Sequence, residues 1–307
     1  MTEPTVSLVI SVWNRKEDLR ENLASIRAQT RPADEVVVVD NCSSDGTPEM
    51  VRAEFPEVKL VCTPHSDYGA CETFNIGFAS AGGDYVGILD DDVILPPTFV
   101  EQMLRKFAEE PETTAILSPK VREPEMPEGY LESAAVNTER YLATFRGCGS
   151  MARHAAIREV GYYDARLFIF GNERDLTTRL LNSGYRVKMV PEVEVYHKAP
   201  FGMRHGARSL YYHVRNFWLY AYKFLPWTQV MAYPFRFLGK RLGGKKQTEG
   251  GEVADAVGTI GLFDNIKSVK RGYWICLKAS LASLWHLPYC IRRRHVCKHP
   301  DFEPPLE

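Results

Sequence analysis

Three consecutive aspartates, Asp90, Asp91 and Asp92, close the apolar run of "YVGILDDDVILPP" at residues 85–97. Carboxylates packed this tightly repel one another unless a cation or a donor-rich ligand lies between them. An acidic turn bathed in water is the plainer explanation of such a stretch. A further acid, Asp40, ends a second apolar run, "DEVVVVD" at residues 34–40. A hard cation such as Mg²⁺ or Mn²⁺ takes few protein carboxylates and completes its shell with phosphate oxygens and water. A carboxylate also accepts hydrogen bonds from a ribose or a base N–H. Acids brought to one rim would therefore suit a nucleoside diphosphate and a divalent metal.

Periodicity says that such a rim exists. Short β-branched runs alternate with amphipathic stretches over the first 120 residues, the pattern of a mostly parallel sheet covered by helices. Residues 6–12 read as a strand. Asn14 with Glu17 three residues later resembles a capping box before the helical spacing of Leu19, Leu23 and Ile26. Residues 34–40 read as a strand buried on both faces, and Thr47 and Pro48 as the cap and first residue of the next helix. Residues 58–62 form a third strand, residues 71–81 a helix, and the acidic stretch ends a fourth strand, with Pro96 and Pro97 leading into another helix. Open α/β sheets bind ligands at the carboxyl ends of their strands, where Asp40 and Asp90 to Asp92 all fall.

Composition narrows the class further. The 307 residues carry a net charge of −1, with no overall bias toward nucleic acid. That balance hides a split: residues 1–200 hold 21 Lys/Arg against 32 Asp/Glu, and residues 201–300 hold 17 against 4. Seven cysteines without a CxxC pair, behind an N-terminus with no signal-peptide pattern, point to reduced thiols and a cytoplasmic protein.

The run of motifs "VSLVISVWNR", "EVVVVDNCSSDGT", "DYGACETFNIGFASAGGDYVGILDDDV", "GCGSMARHAAIREVGYYD" and "NERDLTTRLLNSGYRVKMVPEVEVYHK" resembles the family 2 glycosyltransferases of GT-A fold, especially their rhamnosyltransferase-like members. The likeness covers about 200 residues in order. It implies an α/β GT-A catalytic domain over residues 1–204, with a nucleotide-sugar half to about residue 120 and an acceptor half over 121–204. Carried over position by position, it gives Ser11, Val12, Trp13, Asn14 and Asp40 to the base and ribose and places Asn75 in the nucleotide-sugar set. Asp91 lies close to the sugar or ribose. Asp90 and Asp92 become the DxD pair for Mg²⁺ or Mn²⁺, with Asp92 as a direct ligand, and His197 lies near the metal and diphosphate.

The chain departs from the family pattern at "NERDL", where members typically read "EDxDL". The general base implied is then Glu173, since an acceptor hydroxyl needs a carboxylate within reach to take its proton. Asp175 competes for this role, although with Asn172 as N-cap its place at the third helical position also suits the helix dipole. Gly184 reads as the glycine that closes this helix. "GCGSMA" fits a dinucleotide-binding pattern but lies mid-chain, outside a first βα turn. His295, Cys297 and His299 lack a second ligand pair at zinc-finger spacing and read as a solvated tail.

Residues 205–307 differ in kind. Two aromatic, nearly uncharged stretches, residues 216–235 and 272–291, flank the Gly-rich loop "GGKKQTEGGEVADA". Neither is a clean membrane span, because lysines and scattered Trp and Tyr interrupt both. A helical subdomain covering the sheet and a monotopic surface on anionic lipid are both compatible with them. The expected function is an inverting transfer of sugar from a UDP or dTDP sugar to a hydroxyl of a glycan, glycolipid or lipid-linked acceptor, by a protein that is cytoplasmic or peripheral on the inner face of the membrane. A nucleotidyltransferase would carry a glycine-rich loop after the first strand, and "SVWNRKED" has no glycine. A non-catalytic scaffold remains the other alternative, favoured by the departure at Asn172 and Glu173.

Overall fold

A computed structural model of the protein describes residues 3–202, 204–242 and 262–305. Strands β1 (Val6–Val12), β2 (Glu35–Asp40), β3 (Lys59–Cys62), β4 (Tyr85–Asp90), β5 (Val93–Ile94), β6 (Thr114–Arg122), β7 (Ser150–Arg153) and β8 (Arg186–His197) form one sheet in the order β3-β2-β1-β4-β7-β6-β8-β5. The first four pair in parallel, and β7 runs antiparallel to both β4 and β6.

The unbroken valines have the expected reason. Val37 and Val39 face one core and Val38 the other, so β2 is buried on both sides. Helices α1 (Lys16–Arg27), α2 (Thr47–Glu54) and α4 (Phe99–Glu109) cover the second core, and α3 (Ala70–Ser80) the first.

Two expected helix starts shift. The helix after β1 begins at Lys16 with no side-chain cap. Asn14 instead adopts φ 51° and bonds across to the β2–α2 loop, its Oδ1 accepting from Ser44 N at 2.8 Å. Gly46, at φ 86°, and not Thr47, is the N-cap of α2, and Asp45 just before it accepts from Thr47 N at 3.0 Å. Asp45 also accepts from Lys16 N at 3.0 Å, so one carboxylate serves the starts of both helices. Pro96 and Pro97 precede α4 as expected. The seven cysteines are all unbonded.

The chain continues through α5 (Ala134–Asn137), α6 (His154–Glu159), α7 (Asn172–Asn182) and then α8 (Ala207–Phe224), α9 (Trp227–Leu242), α10 (Leu262–Ser268), α11 (Gly272–Trp285) and α12 (Leu287–Arg292). Gly184, at φ 84°, closes α7: its N–H bonds to Leu181 O, and Tyr185 N–H to Leu180 O. The Gly-rich stretch over 243–256 lies outside the described residues. Leu219, Tyr220, Ala221 and Phe224 of α8 belong to the same core as the sheet, so this helix is part of the wall behind β4 and α7.

What fastens α8 to α7 is charge. Lys223, 2% exposed, bonds Asp164 at 2.8 Å and also pairs with Asp175. Asp175, fully buried, accepts from Arg179 at 2.9 Å as well. Burial works against the Lys223 ammonium, but Asp175 and Asp164 outweigh it and raise its pKa. Removing one partner of a buried ion network leaves the others uncompensated. Lys223→Ala is therefore expected to lower stability by about 3–5 kcal/mol in urea unfolding, and a loss near that of an exposed ion pair, below about 1 kcal/mol, would contradict the arrangement.

Candidate functional site

Strand register assembles the site. Val12 at the end of β1 pairs with Asp40, and Ser11 with Asp90. After Asp90 the chain turns and forms β5, whose Val93 pairs with His197 at the end of β8. On the other side of β4, Ile88 pairs with Ser150, which brings Gly147 and Cys148 alongside Asp90. The result is a cavity of about 510 Å³ walled by Ser11, Val12 and Trp13, by the three aspartates, by residues 144–148, and by residues 168–174 with part of α8.

The three carboxylates occupy different environments. Asp92 is 2% exposed; its Oδ2 takes Arg15 Nη2 at 2.8 Å and its Oδ1 lies 3.1 Å from His197 Nε2. Burial opposes its charge, yet the hydrogen bond to His197 and the charges of His197 and Arg15 outweigh this and hold its pKa low. Asp90 opens into the cavity, 3.8 Å from His197 Nε2, and enclosure by the cavity walls raises its pKa. Burial and the neighbouring Asp92 push Asp91 up to about 8.

His197 is held from behind. Its Nδ1 lies 2.7 Å from Glu123 Oε1, and Arg146 lies 2.6 Å from the same oxygen. Burial opposes the Glu123 charge, but His197 and Arg146 outweigh it, so the carboxylate stays ionised and its partner Nδ1 carries the proton. Nε2 then faces Asp90 and Asp92. Burial would also lower the pKa of His197 itself, but the Cys148 sulfur, Asp92 and Glu123 raise it. One ligand atom each from Asp90, Cys148 and His197 lie within 4.8 Å of one another. Carboxylate and imidazole donors with an orienting acid behind the histidine fit a divalent cation, with the cavity side open to further oxygen ligands. Neither Glu123 nor Cys148 stands out in the sequence, because an isolated Glu or Cys carries no signal until β6 and β7 set it beside His197.

Glu173 reaches the cavity from the first turn of α7. Its Oε1 accepts from Asn172 Nδ2 at 2.9 Å, and burial raises its pKa to about 7. Its carboxylate lies against Gly147, where an added Cβ would stand 2.6 Å from Oε1. The loop before α7 is strained: Phe168 and Phe170 have φ of 65° and 69°, and Gly171 has 76°. Two buried residues of α8 hold it. Asn216 Nδ2 lies 2.8–2.9 Å from the carbonyls of Leu167, Ile169 and Phe170, and Arg215 Nη2 donates to Arg166 and Leu167 at 2.7 and 2.9 Å.

Not every residue implied by the resemblance reaches the cavity. Asn75 exchanges two hydrogen bonds with the Tyr163 backbone, at 2.8 and 2.9 Å. Asn14 bonds the β2–α2 loop, and Asp175 is fully buried in the Lys223 network, so it is not placed to meet an acceptor. Asp40 is also fully buried, its Oδ2 accepting from Ser43 N while Oδ1 has no partner.

A sequence model described as glycosyl transferase family 2 matches residues 7–167, just over half the chain. The chain belongs to this family. It is 29% identical over 194 residues to the uncharacterized glycosyltransferase YwdF of Bacillus subtilis, covering 61% of this chain and 71% of that one. It is 26% identical over 243 residues to an N-acetylglucosaminyl-diphospho-decaprenol L-rhamnosyltransferase of Mycobacterium tuberculosis, covering 66% and 79%. A mannosyltransferase of Pyrobaculum calidifontis, solved with GDP-Man and Mn²⁺, shares the fold at TM-score 0.57 and 20% identity over 94% of this chain and 76% of its own. The fold is the GT-A architecture, and the protein is a glycosyltransferase.

In such an enzyme Gly147→Ala should push the Glu173 carboxylate aside. Turnover is expected to fall about 10²-fold while nucleotide affinity holds, as steady-state kinetics and calorimetry would read; unchanged turnover would show that the close approach is not needed.

Proposed function

We propose that this glycosyltransferase moves a sugar, with inversion, from a UDP or dTDP sugar to a hydroxyl of a glycan, glycolipid or lipid-linked acceptor carried at an anionic membrane, which the chain meets from the cytoplasmic side. The observation that carries the reading is Glu173: a carboxylate with its pKa raised to about 7, in the same cavity as the strand-end aspartates.

Glu173 takes the proton of the acceptor hydroxyl as that oxygen attacks C1 of the donor sugar. The C1–O bond to the diphosphate breaks on the opposite face, and the diphosphate leaves with the electron pair. One displacement inverts C1. Ser11, Val12 and Trp13 hold the base and ribose. Asp90, Asp92 and His197 would hold the cation, with Cys148 beside them; imidazole and sulfur favour Mn²⁺ over Mg²⁺. The cation, when bound, stabilises the charge gathered on the departing diphosphate. Glu123 keeps the His197 ring oriented, and Asn216 and Arg215 keep the Glu173 loop in its strained form.

The relatives support the substrate classes. One is named for rhamnosyl transfer to a diphospho-decaprenol acceptor, and the solved mannosyltransferase holds a nucleotide sugar with Mn²⁺.

The test is turnover of a panel of UDP, dTDP and GDP sugars, scored first by donor hydrolysis. Glu173→Gln should cut turnover by about 10²–10⁴ with donor binding retained, and Asp175→Asn should act through stability instead. A loss of turnover confined to Asp175→Asn would move the base. A base must be deprotonated to act, so kcat/KM should rise as pH rises through about 7 and fall about tenfold per unit below it. A profile flat across that range would exclude Glu173.

A further inference from the structure

Helix α11 is turned inside out. Its small residues face inward: Ala279 and Ser283 are buried, Ser280 Oγ accepts from Trp218 Nε1 at 2.9 Å, and Ser283 Oγ lies 3.2 Å from Tyr222 Oη on α8. Its large apolar side chains face out. Trp274, Leu277, Leu281, Leu284 and Trp285 are 49–87% exposed and recur at helical spacing along one stripe. A helix that only covered a core would show the reverse pattern. Among the described residues every exposed large apolar side chain except Trp13 lies on α9, α11 or α12.

Charge selects the occupant. Residues 265–300 contain eight Lys/Arg and no Asp or Glu. Lys270, Arg271, Lys278, Arg292 and Arg293 are exposed around the stripe. A second copy of the chain docking here by two-fold symmetry would set these cations against each other. An anionic bilayer meets both features, taking the indoles and leucines below its headgroups and the cations among them. Fourteen residues make a helix about 21 Å long, too short to cross a hydrocarbon core of about 30 Å, and none of the described helices is long and apolar enough to do so.

We propose that α11, with the adjoining basic turn of α12, is a surface that lies flat on anionic lipid. This deepens the reading of a membrane-borne acceptor and rests on it. The surface is one helix removed from the chemistry: α8 presents Asn216, Phe217 and Tyr220 to the cavity and Trp218 and Tyr222 to α11. Docking through α11 would hold the cavity wall at a fixed height over the headgroups.

The experiment is co-sedimentation of the whole chain with vesicles of phosphatidylcholine alone and of equal parts phosphatidylcholine and phosphatidylglycerol, at low and high salt. The anionic vesicles should bind at least about tenfold more strongly at low salt, with a blue shift of tryptophan emission, and salt should weaken the binding. Trp274→Ser with Trp285→Ser, and separately Lys270→Glu with Lys278→Glu, should each lose about tenfold. Both pairs are exposed, so thermal melts should match the parent. Equal binding to both vesicles, no binding, or retained binding in both variants would overturn the proposal. So would a dimer by light scattering whose interface shields Trp274 and Trp285 from a soluble quencher. Donor hydrolysis measured on the same samples keeps the two readings apart: lost vesicle binding with hydrolysis intact sinks the surface alone, whereas absent hydrolysis by every donor sinks the transfer reaction.

Discussion

Three carboxylates crowded at the end of one strand, on the wall of one cavity, are the constraint around which this protein is arranged. Their mutual repulsion cannot be left to solvent alone, because Asp92 is buried and Asp91 nearly so. Arg15 and His197 take up the charge of Asp92, and Glu123 with Arg146 fixes the histidine. Asp90 and Asp91 have less compensation, and both are pushed upward in pKa. That imbalance is where a cation and a diphosphate would enter.

The same logic governs the opposite wall. A carboxylate with its pKa near 7 must sit away from solvent, and the loop that carries Glu173 inward adopts conformations that Phe168 and Phe170 would not choose alone. Asn216 and Arg215 satisfy that loop's carbonyls, and Lys223 binds the helix behind it. Helix α8 is thus structural scaffold for the chemistry, cavity wall and support for α11 at once. This explains why so apolar a helix buries Arg215, Asn216 and Lys223.

Much of this was legible in the sequence, for definite reasons. β1, β2 and β4 announce themselves because strands buried on both faces read as unbroken valine and leucine runs, and carboxyl ends of parallel strands lie on one rim. Glu173 could be singled out because the motif around it stays recognisable although both of its leading residues, Asn172 and Glu173, differ from the usual pair. The backbone partners of Asn75 and Asn14 could not be read, because an asparagine side chain bonds backbone as readily as ligand, and only the fold shows that Tyr163 and Ser44 are in reach. Glu123, Cys148 and Asn216 were invisible because their partners lie 74, 49 and 46–49 residues away in the chain. The outward face of α11 could not be read either: periodicity shows that a helix has large and small sides, not which side meets α8.

In the proposed mechanism the acidic rim is a metal-dependent diphosphate site. Calorimetric titration of UDP, dTDP and GDP into the protein with Mn²⁺, with EDTA, and into Asp90→Asn addresses it most directly. The predicted result is that at least one nucleotide binds with Mn²⁺, and that EDTA or Asp90→Asn weakens it by about tenfold or more. A nucleotide that binds equally well in all three settings would contradict it.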